Sequence, residues 1–476
     1  MKILYAAAEA APFIKTGGLA DVAGSLPPAL KKAGEDIRVV IPLHSGIDEE
    51  YKKAMVKVEE FYINLSWRRQ YAGIFKLKYK DTIYYFLDNE YYFNRNNPYG
   101  EFDDGERYAF FSKAILGLIK ILDFKPDVIH ANDWHTGLVS LYLKDMAKED
   151  DFYKDIKSLF TIHNLKYQGV FDSSILSDVL GLSYHYYHDD GIKFYDAINY
   201  MKAGIVYSDG INTVSNTYAQ EIKYKFFGEK LEGILRKHED KLSGIINGID
   251  YDIYNPYNDK NIAVNYDSDT LEKKADNKLA LQKLYGLKEN KDIPLVVMIS
   301  RLDPLKGIDL IKHVFDEILQ QDLQMVILGT GHREYEDFFR HFQGLYPDKL
   351  RARLYFDEGE AHQIYAGGDI LLMPSMIEPC GISQLIALRY GTIPIVREIG
   401  GLKDTIQPFN KYTKEGVGFS FKNYNAHELL FALKEALKLY NEDKKTWKIL
   451  IKKGMETKND WAASSREYIK LYQSLK

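Results

Sequence analysis

The sequence contains a single cysteine, Cys380, among its 476 residues. One cysteine excludes a disulfide framework and a zinc site built from several thiolates, and it suits a reducing compartment. Long apolar runs are also missing. The N-terminal stretch KILYAAAEAAPF is interrupted by Glu9 and Pro12, so neither a signal peptide nor a membrane span is predicted. We therefore expect a soluble, cytoplasmic protein without a membrane partner.

The chain also lacks a strong charge of either sign and several common cofactor motifs. Its formal net charge is −5 and its basic residues are dispersed, which argues against a nucleic-acid partner. No Walker A lysine motif is present, and in LGTGHRE a glutamate, Glu334, occupies the third glycine position of a dinucleotide fingerprint. The segment HYYHDD, residues 185–190, has no accompanying ligand pattern. We predict no metal and no cofactor.

The order of apolar runs indicates an α/β protein with two domains. A chain of this length exceeds one ordinary domain. Short apolar runs alternate with helical periodicity throughout, which predicts parallel sheets covered by helices. The pattern breaks over residues 250–276, where we place the interdomain connection. We expect two Rossmann-like, doubly wound parallel-sheet domains, 1–248 and 249–455, facing a central cleft, and a C-terminal helix, 456–476, that crosses back to the first domain.

The stretch FIKTGGLADVAGSLPPAL, residues 13–30, follows the first predicted strand with a lysine and two glycines. One interpretation is a tight strand-to-helix connection with Lys15 as a surface charge. The other is a ligand site, because glycine lets backbone approach a ligand and a helix start attracts phosphate. The stretch alone favours neither. Its sequence GGLAD recurs as GGLKD at residues 400–404, again between a strand and a helix.

Polar side chains follow many of the predicted strands. In open parallel sheets ligands bind beyond the carboxyl ends of the strands, so these positions form one candidate site. Loops after strands are often polar for no functional reason, yet so many such residues favour a shared site. They are Glu9, Asp133, Trp134, His135, His163, Asn164, Asn247, Gly248, Arg301, Lys306 and Glu378.

Two motifs in the second half suit a diphosphate. In SRLDPLKG, Arg301 and Lys306 flank a turn before a helix, which suits a diphosphate leaving group, although a surface pair is the alternative. In EPCGISQL, the amides of a helix start could bind phosphate, although an ordinary helix start would look the same. Cys380 is better explained as a small packed thiol than as a nucleophile.

In order, KTGGLADV, HANDWHT, TIHNLKYQG, INGID, SRLDPLKG and EPCGISQL…YGTIPIVREIGGLKDT resemble the bacterial glycogen synthases and plant starch synthases. The resemblance covers nearly the whole chain. It implies a retaining glycosyltransferase of the GT-B fold that transfers glucose from ADP-glucose to the non-reducing end of an α-1,4-glucan.

The resemblance also implies roles for individual residues. Catalytic roles fall to Lys15, His163, Arg301, Lys306 and Glu378. The nucleotide sugar is bound by Lys15, Gly17, Gly18, Asp21, Asn247, Arg301, Lys306, Phe356, Gly381, Ile382 and Ser383, with Phe356 at the end of the strand ARLYF stacking on adenine. The acceptor glucan is bound by Tyr99, Asp133 and Asn164.

Two positions depart from the family pattern. Ile386 stands where the wider retaining GT-B group often carries a second glutamate, so the ribose must be held differently. Leu305 stands where related enzymes can have a polar residue. The alternatives are a sucrose- or trehalose-type transferase with a small acceptor, a glucan-binding protein without activity and, more distantly, a nicotinamide-dependent dehydrogenase.

Overall fold

The computed structural model describes all 476 residues, and their contacts divide the chain into two compact units. The first unit contains Met1–Asn247 and Trp461–Lys476, and the second contains Gly248–Asp460. Each unit has its own parallel sheet and its own buried core. No helix combines the length and the apolar character that crossing a membrane requires.

The first unit is built on a nine-stranded sheet with the order β12-β11-β7-β6-β1-β2-β5-β4-β3. In this spatial order, neighbouring strands from β12 through to β5 pair parallel. The strand β4 pairs antiparallel with β5 and with β3. Three further short strands form the separate sheet β8-β10-β9. The strands are β1 Lys2–Ala6, β2 Asp36–Pro42, β3 Val56–Leu65, β4 Arg68–Tyr79, β5 Thr82–Asp88, β6 Val128–Asn132, β7 Lys157–Ile162, β8 Val170–Asp172, β9 Lys193–Phe194, β10 Ala197–Asn199, β11 Gly210–Thr213 and β12 Leu242–Gly244.

Helices cover this sheet. Most residues of the longest helix, α4, are buried, including apolar residues on several of its faces. The helices are α1 Gly18–Lys32, α2 Glu49–Ala54, α3 Glu90–Phe93, α4 Asp104–Ile121, α5 Leu138–Met146, α6 Ile175–Asp178, α7 Tyr200–Tyr207, α8 Asn216–Glu221 and α9 Glu232–Lys237.

The second unit has a six-stranded, fully parallel sheet with the order β15-β14-β13-β16-β17-β18. Its strands are β13 Leu295–Ile299, β14 Gln324–Leu328, β15 Leu350–Arg353, β16 Ile370–Met373, β17 Ile393–Arg397 and β18 Phe419–Phe421. Its helices are α10 Lys274–Leu284, α11 Ile308–His313, α12 Phe315–Leu319, α13 Arg333–Leu345, α14 Glu358–Gly367, α15 Ser383–Arg389, α16 Gly400–Thr405, α17 Ala426–Glu442 and α18 Lys444–Glu456.

The last helix, α19 (Trp461–Ser474), packs in the first unit. Its Tyr468 and Tyr472 are fully buried. The Tyr472 hydroxyl lies 2.8 Å from Nδ1 of His130 in β6, and the Asn212 side chain in β11 donates to the Tyr468 hydroxyl at 3.2 Å. These contacts hold α19 against the sheet. That the first domain binds the acceptor and the second binds the nucleotide sugar remains a prediction.

Two Rossmann-like, doubly wound sheets were predicted, and this fold class is confirmed. The strands β3, β4, β5, β8, β9, β10 and β18 were not predicted. Residues 250–276, expected to connect the domains, lie within the second unit instead. Tyr266 in this segment is buried, and its hydroxyl donates to the carbonyl of Tyr390 at 2.7 Å.

Candidate active site

In both units the candidate residues follow strands at the point where the sheet order reverses. In the first unit, β1 lies between β2 and β6, and the loops after β1 and β6 carry Glu9 and Asp133. In the second, β13 lies between β14 and β16, and the loops after β13 and β16 carry Lys306 and Glu378. Ligands of doubly wound sheets bind at such switch points, so each unit presents a candidate site.

The glycines after Lys15 are not required by the fold. Gly17 caps α1 in extended backbone, with a φ of −159° that any residue adopts. A Cβ on Gly17 would come no closer than 4.0 Å to another atom, the Oε1 of Glu9, and a Cβ on Gly18 would meet nothing within 4 Å. Packing against neighbouring atoms therefore requires neither glycine. The backbone stays open here, at a helix start whose first N–H groups have no partner within the helix.

Two predicted residues of this loop form an ion pair. The Lys15 ammonium lies 2.7 Å from the Asp21 carboxylate in the first turn of α1, and both side chains are partly exposed. Asp21 thereby holds the lysine beside the helix start. The partial exposure leaves the ammonium accessible to a further anion.

Glu9 anchors the loop after β1 by accepting hydrogen bonds. Its Oε2 accepts hydrogen bonds from the amide and the hydroxyl of Thr16, both at 2.6 Å, and the Thr16 hydroxyl also contacts the Tyr99 hydroxyl. Burial raises the pKa of the Glu9 carboxyl. The sequence marked Glu9 only as a polar residue after a strand. Its anchoring role depends on burial and on Thr16, and no sequence motif signals either.

Asp133 holds together the loops after two neighbouring strands. It has a φ of 55°, a left-handed conformation that costs energy in a residue other than glycine and often marks a functional site. Its Oδ1 accepts the amide of His163 at 2.8 Å, and the amide of Asn164 also donates to its carboxylate. Burial raises the pKa of Asp133 to about 7, against the opposing effect of these amides.

His163 is neutral at physiological pH. Burial lowers its pKa to about 3, and its Nε2 lies 2.9 Å from Oδ1 of Asn132. The Asn132 amide nitrogen donates to the carbonyls of Ala6 and His130, so its Oδ1 is the acceptor and the His163 proton sits on Nε2. A neutral imidazole cannot supply positive charge to a leaving phosphate.

Asn164 and Asn247 are two further candidate site residues of the first unit. Oδ1 of Asn164 accepts the amide of Lys166 at 3.1 Å and thus shapes the loop after β7. Asn247 is buried, and its Oδ1 has no hydrogen-bond partner. A buried acceptor without a partner is uncommon in native structures.

In the second unit, Lys306 and Glu378 form a close pair. The ammonium lies 2.7 Å from Oε2 of Glu378, which also accepts the Ser375 hydroxyl at 2.9 Å. Gly307 makes the approach possible. It has a φ of +71°, and a Cβ there would lie 2.0 Å from the carbonyl oxygen of Pro374. Only glycine brings the loop after β13 this close to the loop after β16.

The second predicted cation, Arg301, is exposed. Its guanidinium lies 3.6 Å from the Asp303 carboxylate, and its side chain is 66% exposed. Asp303 also caps the following turn by accepting the amide of Leu305 at 2.9 Å. The Leu305 carbonyl accepts the amide of Met376 at 2.8 Å. At Leu305, which departs from the family pattern, the main chain therefore links the loop after β13 to the loop after β16.

The helix start predicted at Gly381–Ser383 is present, since α15 begins at Ser383. Gly381 has a φ of +74°. The Gln384 side chain donates to the carbonyls of Cys380 and Gly381 and so closes the turn. Cys380 is a buried thiol, as expected for a packing residue. Ile386 is buried in the core.

The repeated GGL sequences serve different physical purposes. A Cβ on Gly400 would lie 2.0 Å from the Glu378 carbonyl oxygen, and one on Gly401 would lie 2.1 Å from that of Cys380. These glycines allow α16 to pack against the EPCG loop, whose carbonyls accept the Gly401 amide. Gly17 and Gly18 have no such packing requirement.

The predicted position of Phe356 was wrong in one respect. The strand β15 ends at Arg353, so Phe356 lies in the loop beyond it, where its ring is 66% exposed. Arg353 and Tyr355 both bind Glu360 in the first turn of α14 and so connect the end of β15 to this helix. Across the whole chain, no group of three or more His, Cys, Asp or Glu side chains is arranged to hold a metal ion.

Comparisons with known proteins agree with this arrangement. The family model of the starch synthase catalytic domain matches residues 2–237, and that of glycosyl transferases group 1 matches residues 284–453. The catalytic domain of starch synthase IV from Arabidopsis thaliana, solved with ADP and acarbose, superposes with a TM-score of 0.92 at 32% identity, covering 100% of this chain and 99% of that one. A sucrose-phosphate synthase from Thermosynechococcus elongatus shares the fold, with a TM-score of 0.62 at 16% identity over 100% of this chain and 98% of that one. The two doubly wound units thus define a glycosyltransferase of the GT-B class.

Curated relatives narrow the class further. The glycogen synthase of Finegoldia magna is 54% identical over 476 residues and that of Clostridioides difficile is 49% identical over 479, each covering 100% of both chains. The chain belongs to the glycogen and starch synthase family of glycosyltransferases. It is an enzyme of glycogen synthesis that uses a nucleotide-sugar donor and a glucan acceptor.

Proposed function

We propose that this enzyme transfers glucose from ADP-glucose to the non-reducing 4-hydroxyl of an α-1,4-glucan, with retention of the anomeric configuration. The observation that carries the proposal is the open backbone at Gly17 and Gly18, next to Lys15 and a helix start. The fold leaves that space free, and a donor phosphate or sugar has the size and charge to use it. The similar starch synthase was solved with ADP.

Departure of the diphosphate is the chemical problem, and we assign it to cationic groups of both units. Lys15 and the α1 amides, together with Arg301, Lys306 and the amides at Gly381–Ser383, stabilise the negative charge that develops on the leaving group. The exposed ring of Phe356 is available to stack on the adenine. Leaving phosphate oxygen can then take the proton of the attacking glucan hydroxyl.

The sugar is positioned by neutral and anionic groups. Lys306 and Ser375 orient the carboxylate of Glu378, which we assign to the glucose hydroxyls. The unpartnered Oδ1 of Asn247 is a second acceptor for a sugar hydroxyl. Because His163 is neutral, we assign its main-chain carbonyl, rather than its ring, to the positive charge that develops on the sugar.

A donor panel tests the proposed function. Glycogen is the acceptor, ADP-glucose and UDP-glucose are compared at equal concentration, and nucleotide release and glucan growth are both measured. We expect transfer from ADP-glucose to exceed transfer from UDP-glucose. In parallel reactions with fructose or glucose phosphate as the acceptor, transfer to the small sugar but not to glycogen would identify a small-acceptor transferase. Nucleotide release without glucan growth would contradict glucan synthesis.

The raised pKa of Asp133 predicts a pH effect. The carboxyl is ionised above a pKa of about 7, so the negative charge assigned to acceptor binding is lost as pH falls through this value. We expect kcat/KM of the native enzyme to decline on the acid side of neutrality. Asp133→Asn keeps an oxygen for the His163 amide but removes the charge, so its activity is lower and this acid limb is absent. An unchanged limb in the variant would assign the titration to another group.

A further inference from the structure

The sheet of the first unit contains a buried network of hydrogen bonds that ends at His163. Parallel strands covered on both faces usually carry apolar side chains. Here four neighbouring strands carry polar ones, and all of them are completely buried: Tyr5 in β1, His130 and Asn132 in β6, Thr161 in β7 and Asn212 in β11. Buried polar groups cost free energy unless they are paired. None of these side chains takes part in the transfer steps described above.

Asn132 lies at the centre of the network. Its amide nitrogen donates to the carbonyls of Ala6 at 3.0 Å and of His130 at 3.2 Å. Its Oδ1 accepts the Tyr5 hydroxyl at 3.0 Å and the Nε2 proton of His163 at 2.9 Å. An asparagine side chain can make four hydrogen bonds, and all four are made here. The side chain is therefore held in a single orientation.

The C-terminal helix α19 supports the network from its other end. The Thr161 hydroxyl donates to Oδ1 of Asn212, whose amide nitrogen donates to the Tyr468 hydroxyl. Because its own proton is used in this way, Thr161 accepts the Nε2 proton of His130 at 2.5 Å. Burial lowers the pKa of His130 well below its usual range, so its other nitrogen, Nδ1, accepts the Tyr472 hydroxyl proton at 2.8 Å. Each of these hydrogen bonds thus has a defined direction.

The network sets two properties of His163. Oδ1 of Asn132 can only accept, so it keeps the His163 proton on Nε2 and fixes the direction of the ring. The carboxylate of the next residue, Asp133, accepts the His163 amide at 2.8 Å. With both its ring and its amide held, His163 has little freedom to turn its main chain. Its carbonyl, which we assign to the developing positive charge, therefore keeps one direction before substrate binds.

We infer that Asn132 is a positioning residue of the transfer reaction, which anchors the His163 ring so that the His163 carbonyl keeps the direction the reaction requires, and that α19 supports this anchor through His130. The inference rests on the proposed function and deepens it. Asn132 is completely buried and acts through His163. Because the charge on the sugar develops only in the transition state, misplacing the carbonyl should lower kcat and leave donor KM nearly unchanged.

Two substitutions at Asn132 separate positioning from support of the fold. Asn132→Leu removes all four hydrogen bonds, whereas Asn132→Asp loses the two donors and keeps an acceptor for His163. Both variants should unfold at a lower temperature, because the Ala6 and His130 carbonyls lose a donor. We expect kcat of Asn132→Leu to fall about thirtyfold, since displacement of a reacting group by about 1 Å has an effect of this order. Asn132→Asp should retain most of the native kcat.

Two outcomes of these kinetics would overturn the inference. One is a native kcat in Asn132→Leu. The other is an equal loss of kcat in both variants, because activity would then follow stability and not the acceptor at Asn132.

A matched pair of tyrosines tests the support from α19. Tyr472→Phe removes the hydroxyl that His130 accepts. Tyr142→Phe removes a similarly buried hydroxyl of the same unit, which donates to the Leu180 carbonyl at 3.2 Å. Each variant loses one buried hydrogen bond, but only Tyr472→Phe should lower kcat. Equal kcat in the two variants would overturn the role of α19, and this milder pair decides the inference should Asn132→Leu fail to fold.

The position of the His163 proton can be read without any activity. Nitrogen-15 NMR of histidine-labelled enzyme distinguishes the two tautomers, and the absence of a signal in His163→Gln identifies His163. We expect the proton on Nε2 in the native enzyme and in Asn132→Asp, and both tautomers in Asn132→Leu. A pure Nε2 tautomer in Asn132→Leu would overturn the anchoring role. Failure of the native enzyme to transfer glucose to glycogen would overturn the proposed function instead, and the NMR comparison would still stand.

Discussion

Replacing Lys306 with alanine is expected to lower kcat/KM by about a hundredfold, because one preorganised charge on a leaving group typically contributes that much. The ammonium lies 2.7 Å from Glu378, so it has a fixed position before substrate arrives. Loss of this group removes stabilisation of the diphosphate in the transition state. Steady-state kinetics with ADP-glucose and glycogen measure the effect.

The same variant also affects stability, and a second variant separates the two effects. Without Lys306 the Glu378 carboxylate, whose side chain is only 10% exposed, loses its cationic partner. An unpaired buried group costs about 1–3 kcal/mol, so thermal unfolding should begin at a lower temperature. Lys306→Ala combined with Glu378→Gln should recover much of that stability and remain inactive. Recovery of activity together with stability would show that Lys306 serves the fold and not the reaction.

Gly18→Ala is expected to lower kcat/KM by roughly thirtyfold, since displacement of a bound substrate by about 1 Å has an effect of this order. The added methyl group meets no protein atom within 4 Å, so a loss of activity would report contact with the bound donor and not a disturbed fold. Stability should be unchanged or slightly higher, because alanine is the better helix residue. Kinetics and thermal unfolding together measure this combination.

The chain offers a matched control for that substitution. Gly233 also lies in the first turn of a helix in the first unit, and a Cβ there would likewise meet nothing within 4 Å. Gly233→Ala should leave kcat/KM near the native value. If Gly18→Ala is as active as Gly233→Ala, the open backbone at Gly18 has no role in donor binding.

The buried parallel strands were predictable from the sequence. The mainly apolar segment DIRVVIP is typical of a buried parallel strand, and β2 spans these same residues. The strand β3 gave none, because most of its residues are exposed and its apolar residues do not alternate regularly. Phe356 was placed on a strand by its apolar neighbours, whereas β15 ends at Arg353, whose guanidinium pairs with Glu360.

The candidate site could be predicted in its residues but not in its contacts. Strand ends and glycine-rich loops marked Lys15, Asp133 and Lys306. The sequence could not show that Asp133 binds the amide of His163, because this contact joins the loops after two different strands. Nor could it show that Glu9 anchors Thr16, because that contact depends on how the loop after β1 folds back on itself. Equally, GGLAD and GGLKD read alike, and only the surrounding atoms distinguish open space from tight packing.

The proposed function requires the open loop at Gly18 and the Lys306–Glu378 pair to act on one donor molecule. A crystal structure of the native enzyme with ADP-glucose tests it most directly. We predict a single bound nucleotide sugar that contacts both the Gly18 amide and the Lys306 ammonium. A donor that binds one of these groups while the other faces only solvent would contradict the account.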